Sequence, residues 1–499
     1  MTRHVELRPG AYHDSVTLMQ VSRTVATEPG VVSALVAMAT ELNLDLLTGM
    51  GFDRPDGAGP GDLLVGIEAS DDDALTRALA RLEAALTDRT PSGSGPAAGA
   101  GAEPAPRTVG TAARRAGATV ALISTPGPHA FTEAMDALHS DLHVVVFSDN
   151  VPVEQEVRLK QEAREHALLV MGPDCGTAVV GGVGFGFANV VRPGPVGIVA
   201  ASGTGAQQLM SLVDGAGVGI SHCLGVGGRD LSSVVGGAST LAALDLLADD
   251  EATEVIVVVS KPPAPEVAEA VRLRADKLDK PVVRALLGPG EPDLTAVAET
   301  VVTAAGAPWR PPRWWPAPVP RTGSYPTVRG LFAGGTLCDE AMLIASAALG
   351  PVRSNIPLRP SWVLEPDLSG SGHQMIDFGD DTLTQGRPHP MIDNSLRIER
   401  LFVEAADPTC GVVLLDVVLG HAAHPDPAAE LAPAIVRARN LAGARGRDLA
   451  VVVALIGTAD DPQDLPRQAK ALREAGASVH LSNAHAARTA VDLVRGTDD

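Results

Sequence analysis

Aromatic side chains are scarce: Phe, Trp and Tyr make up 3% of the chain, whereas apolar residues as a whole make up 45%. Any core must therefore be packed from Ala, Val and Leu. Positive charge is also short, with a formal net charge of −21. Nucleic acid as a partner is excluded on that ground, because its phosphates demand a basic face. The four cysteines (Cys175, Cys223, Cys338, Cys410) show no paired spacing, so neither a disulfide framework nor a zinc knuckle is expected. The N-terminus lacks the apolar stretch of a signal peptide. The longest apolar runs are strand-length, well short of a membrane span. A cytoplasmic protein with no membrane association is expected.

What is present is α/β patterning. The 499 residues suggest three or four domains at roughly 100–200 residues each. Residues 1–87 read as a small α/β unit, with strands at 16–21 and 62–67 and helices at 31–42 and 73–86. Residues 88–106, rich in Pro, Gly, Ser and Ala, read as a disordered linker. From 107 to 306, short apolar strands (120–124, 143–147, 168–171, 196–200, 255–259) alternate with helices, the signature of parallel sheets. This stretch divides into a Rossmann-like domain, 107–190, and a flavodoxin-type domain, 191–306. A Pro/Trp linker, 307–326, is expected to be pinned to a domain surface by Trp309, Trp314 and Trp315. Residues 327–499 form a further α/β domain. The fold class is α/β, with several doubly wound parallel-sheet domains.

Doubly wound sheets hold ligands at the carboxyl ends of their strands, and three glycine-rich loops follow such strands. The first, Gly172-Pro173-Asp174-Cys175-Gly176, offers successive amides that can form an anion nest. In the second, Ser202-Gly203-Thr204 opens a helix, where free amides and the dipole favour an anion; a simple N-cap is compatible with that role. In the third, Gly227 and Gly228 allow close backbone approach, and Arg229 can neutralise a phosphate or carboxylate. Together the loops point to bound phosphate. Cys175 is also a nucleophile candidate, against the simpler reading that it fits the turn and uses only its amide.

The segment 373–397 reads as a long polar loop. As a site it would clamp a small carboxylated substrate through Arg387 and Arg397, with Asp393 nearby and His389 or Asp377 moving protons. As structure it would be a salt-bridged docking loop. His373, Asp377 and His389 are metal-ligand types but lack a rigid spacing, so no metal is expected. Gly335 and Thr336 repeat the helix-opening pattern and would hold a carboxylate or cap the helix. His421 and His424 read as surface histidines.

The order G-P-D-C-G, V-G-I-V-x-x-S-G-T and G-V-G-G resembles the α subunit of succinyl-CoA synthetase. Phe147-Ser148-Asp149-Asn150-Val151, Phe187-Ala188-Asn189-Val190, Gly227-Gly228-Arg229-Asp230-Leu231-Ser232 and Val259-Ser260-Lys261-Pro262-Pro263 resemble the FdrA family, across nearly the whole chain. Two departures from the synthetase stand out. No histidine lies between His222 and His373, so the phosphohistidine relay is missing, and Ser260-Lys261-Pro262-Pro263 replaces the acid that would orient it. No G-x-G-x-x-G follows the first strand of the Rossmann-like domain, which argues against CoA. The resemblance implies a subunit of an oxamate carbamoyltransferase in ureide (allantoin) catabolism, working beside other subunits of a hetero-oligomer. Its reaction would convert oxalurate and phosphate to oxamate and carbamoyl phosphate. Phosphate would be co-substrate rather than cofactor. Lys261 or Arg229 would offset developing charge. The alternatives are an acid–thiol ligase using CoA and a non-catalytic phosphate-binding scaffold.

Overall fold

The computed structural model describes residues 1–11, 13, 15–87, 106–318, 325–384 and 387–496. The expected disordered linker falls almost wholly outside them. Two compact units result, residues 1–111 with 385–388, and residues 112–384 with 389–499.

The first unit is a three-stranded antiparallel sheet with Leu63–Ala69 between Thr2–Arg8 and Val31–Met38. All seven residues of the central strand are buried. Helices Ser15–Ala26 and Asp72–Thr87 cover one face through Leu18, Val21, Val25, Ala78 and Leu82. Helix Glu41–Gly49 covers the other through Leu44 and Leu47. Two expectations are reversed here: 16–21 is helical and 31–38 is a strand. Leu18, Val21 and Val25 recur at helical spacing and bury a single stripe, whereas 31–38 pairs along its whole length with the buried strand. The short apolar run at 16–21 had masked that period.

The second unit contains three parallel or mostly parallel sheets. The smallest pairs Val120–Ile123, His143–Val146 and Val170–Met171. A six-stranded sheet runs, from edge to edge, Val282–Leu286, Val255–Ser260, Pro193–Ala200, Ile220–Gly225, Thr177–Val180 and Val183–Gly186. The last two strands form an antiparallel hairpin, so the change of sheet falls after Met171 rather than near residue 191. The third sheet has seven strands built around Cys410–Val418, every residue of which is buried. The Pro/Trp linker supplies its edge: Trp314–Trp315 pairs antiparallel with Ser478–His480. Trp314 stacks on the His480 ring (centroids 5.5 Å apart, planes at 8°), the expected pinning.

His373–Asp377 is a buried strand inside this sheet, between Thr327–Phe332 and Val352–Arg353. The long polar loop expected at 373–397 is therefore corrected. Gln374 satisfies its amide on the Gly370 carbonyl. Asp377 stands at the carboxyl end, where parallel sheets display polar groups.

The six- and seven-stranded sheets are joined through helix Gly203–Gly215, in which Gln207 and Gln208 are completely buried. Gln208 bridges the Leu481 carbonyl and the Asn483 amide. Beside it, Asn189 donates to the Leu419 carbonyl and to Asp461. Buried amides with both ends satisfied fix register as well as contact. Among the described residues, no helix is long and apolar enough to cross a membrane.

Candidate functional site

Two strand-to-helix turns meet at the carboxyl ends of the two large sheets. In one, strand Pro193–Ala200 leads to Ser202, the N-cap of helix Gly203–Gly215, whose hydroxyl accepts from the Gly205 amide (3.0 Å). In the other, strand Thr327–Phe332 leads to helix Gly335–Leu349. The Asp416 carboxylate accepts from the amides of Ala333 (2.7 Å) and Gly334 (3.0 Å). Asp416 is itself clamped by Arg397 at 2.6 Å.

The two helices begin against each other. Ser202 Oγ donates to Thr336 Oγ1 at 2.5 Å. A methyl group on Gly334 would lie 2.5 Å from Thr204 Oγ1. Each N-terminus brings unsatisfied amides and a partial positive charge of about half an elementary unit. Lys261, just past strand Val255–Ser260, reaches the same place: a methyl on Gly335 would sit 2.7 Å from Lys261 Nζ and 2.6 Å from Asp377 Oδ2. Two helix N-termini that meet, with an ammonium group beside one of them, are groups that can hold an anion. Gly334→Ala should push the first turns apart, lowering phosphate affinity at least tenfold in calorimetry at an overpacking cost of about 1–3 kcal/mol. Unchanged affinity would remove Gly334 from the site.

Carboxyl groups surround the ammonium. Asp339 Oδ2 lies 3.6 Å from Lys261 Nζ. Burial pushes Asp339 up to about 6 and Asp377 up to about 7, with Lys261 opposing both shifts. Burial would lower Lys261, but Asp339 and Asp377 outweigh it and hold the ammonium charged. At neutral pH the site thus holds a fixed cation and carboxyls poised to give or take protons.

Several expected site residues sit elsewhere or act otherwise. The anion nest at 174–176 does not form, because its amides are already used: Asp174 donates to the Ser148 carbonyl, Cys175 to that of Val146 and Gly176 to that of Asp174. Gly172 is a packing glycine with φ +93°, where a methyl would meet the Val146 carbonyl at 2.3 Å. Gly227 packs likewise on the Pro173 carbonyl, and a methyl on Gly228 would meet nothing within 4 Å. The Cys175 thiol is buried and pushed up to about 12, which removes it as a nucleophile at neutral pH.

Arg229 donates to Glu156 (3.0 Å) and to the Val151 carbonyl (2.8 Å) while half exposed. Glu156 and Asp230 share buried Lys160, which ties this loop to helix Val153–Glu165.

The expected carboxylate clamp is also corrected. Arg397 is buried, its guanidinium held by Asp416, Asn394 and the Leu331 carbonyl, so it supports the Gly334 turn from behind. Arg387 is exposed and belongs to the N-terminal unit. Asp393 accepts from the amide and hydroxyl of Ser395. His389 accepts the Met391 amide on Nδ1 and packs 5.5 Å from the Phe187 ring. Burial, with Arg397 adding to it, pushes His389 down to about 4, so it is neutral and a poor proton carrier. His424 is buried rather than on the surface, accepting the Asp426 amide at 2.8 Å.

Asp339 was missed in the sequence. Its only signal was its place in the first turns of the helix that Gly335 opens. The residues present do not suit CoA in the small sheet's domain. Helix Gly127–Leu138, which follows its first strand, starts at Pro126 and carries Pro128, two residues without an N–H. Its first turn is covered, with a methyl on Gly127 falling 2.3 Å from the Asp149 carbonyl.

Residues 331–493 match the CoA-ligase family model, and residues 1–104 match the model described as AllF, heavy metal-associated domain. None of the four cysteines lies within 1–104, so that part lacks thiolates for a soft metal. The α subunit of malate–CoA ligase from Methylorubrum extorquens is 28% identical over 189 residues, 36% of this chain and 62% of that one. Among solved structures, ATP citrate lyase from Methanothrix soehngenii covers 40% of this chain and 37% of its own at 20% identity, with a TM-score of 0.31. The protein YahF of Escherichia coli K12 is 37% identical over 528 aligned residues, 99% of each chain. The chain therefore belongs to the family of YahF, the FdrA-like proteins related to the α subunit of succinyl-CoA synthetase.

Proposed function

We propose that this ligase-like protein is the phosphate-holding subunit of a carbamoyltransferase that converts oxalurate and phosphate to oxamate and carbamoyl phosphate. The observation that carries the reading is the meeting of two helix N-termini with Lys261 beside Gly335, and no histidine between His222 and His373 to accept a phosphoryl group. With no phosphohistidine to relay, phosphate itself is the reactant. A phosphate oxygen attacks the ureido carbonyl carbon, and the C–N bond breaks with its electron pair going to nitrogen. The proton lost by phosphate ends on that nitrogen. Asp377, near 7, is suited to pass it. Lys261 and the amides at Gly203, Thr204, Gly335 and Thr336 hold the phosphate and offset developing charge. The substrate's identity rests on the family resemblance. Other subunits are required partners in this reading.

A second reading, acid–thiol ligation with CoA, is favoured by the CoA-ligase match at 331–493 and the malate–CoA ligase relative. Calorimetric titration with phosphate, carbamoyl phosphate and CoA separates the two. Binding of the first two and not CoA, weakened at least tenfold in Ser202→Ala and Thr204→Ala, is expected. Stoichiometric CoA binding, or phosphate binding indifferent to both changes, would overturn the transferase reading.

A further inference from the structure

On the small parallel sheet, away from the anion site, two adjacent helices end side by side. His139 is the C-cap of helix Gly127–Leu138 and His166 the C-cap of helix Val153–Glu165. Glu162, one turn before His166, is nearly buried between them. Its Oε1 lies 3.1 Å from His139 Nε2 and 3.4 Å from His166 Nε2. All three donor atoms fall within 4.8 Å of one another, and this is the one such cluster among the described residues. The imidazole centroids are 6.1 Å apart, planes at 51°.

These are the dimensions of a coordination sphere. Ligand bonds of about 2.0–2.2 Å place neighbouring donors of a tetrahedron roughly 3.3–3.5 Å apart. Two of the three edges here are already close to that. Arg158 holds the other Glu162 oxygen, Oε2, at 2.5 Å. It leaves Oε1 facing both rings and fixes the carboxylate, as outer partners of metal ligands do. Arg158 also brings a positive charge, which a bound cation must tolerate. Against that, both helices present their carboxyl ends, where carbonyls and dipole favour a cation. The rings are partly exposed, with 54% and 38% of each side chain open, so water can complete the sphere. Two imidazoles of three donors select against magnesium and calcium, which prefer oxygen.

We propose that His139, Glu162 and His166 form a binding site for a divalent transition-metal ion of the zinc class, which ties together the carboxyl ends of the two helices. The test uses the full chain, stripped with a chelator, titrated calorimetrically with zinc and followed in the visible range with cobalt. One ion per chain should bind, with a cobalt spectrum of intense tetrahedral type and a rise in Tm on adding zinc. His139→Asn and His166→Asn should each weaken binding at least tenfold and abolish the Tm rise. Glu162→Gln, which keeps the side chain's shape and its contact with Arg158, should also weaken it, a loss that misfolding would not explain. His421→Asn, a change at an exposed histidine elsewhere, should leave binding unaltered. No binding with zinc in excess, or equal affinity in the His139→Asn/His166→Asn double variant, would overturn the site. Phosphate titration of the same variants should be unchanged, so a failure here is separable from a failure at the anion site.

Discussion

Replacing Lys261 with alanine is expected to lower turnover at saturating phosphate by about a hundred- to a thousand-fold, the usual cost of losing one preorganised charge-stabilising group. The loss has two parts. The anion loses its point charge while keeping the two helix ends, so phosphate binds more weakly. Asp339 and Asp377 also lose the cation that holds them down. Their titration moves upward, and the protonated form persists to higher pH.

The same carboxyls leave a mark on stability, and its sign follows from their direction. In the folded chain they sit above the ordinary carboxylate value, at about 6 and 7, so the native state binds more protons than the unfolded one in between. Their contribution is full below the unfolded value, falls as pH rises, and is lost above about 7. In the Lys261→Ala protein that decline should extend to higher pH. The denaturation midpoint followed from pH 4 to 8, beside kcat/KM over the same range, checks both statements. Identical pH profiles in the two proteins would place Lys261 outside the site.

Arg397→Met should cost about 3–5 kcal/mol of stability, because it leaves the Asp416 carboxylate buried without its cation. Two backbone amides, Ala333 and Gly334, remain as partners, too few to offset a buried charge. Phosphate binding should weaken as well, since the Gly334 turn is held through Asp416. The double variant Arg397→Met/Asp416→Asn should recover part of the loss, and the cycle isolates the pair. A single variant as stable as the parent would show that Asp416 is neutral in the folded chain.

Much of the local structure could be read from the residues. The apolar runs at 196–200, 255–259 and 412–417 are buried strands. Ser202 caps its helix as its type predicts. Failures occurred where a residue's role depends on distant partners. The polar residues of 373–397 suggested a loop, yet Asp377 ends a central strand and Arg397 lies behind the site. A segment read in isolation cannot show that Glu404 and Asp416 wait elsewhere to pair Arg329 and Arg397. The amides of Asp174 and Cys175 looked available because their acceptors, Ser148 and Val146, come from another strand's end.

The sequence by itself determined the α/β class, the helix-opening turns at Ser202 and Gly334, and the lack of any histidine between His222 and His373. These are local matters of periodicity, capping and composition. Only the tertiary structure decided that the two turns face each other, 134 residues apart in the chain, with Lys261 beside Gly335. That meeting depends on burying Gln207 and Gln208 between two sheets, with hydrogen-bond partners 212 and 273–275 residues away. The pair of facing helix ends exists only once that packing has formed, because neither end by itself reaches the other.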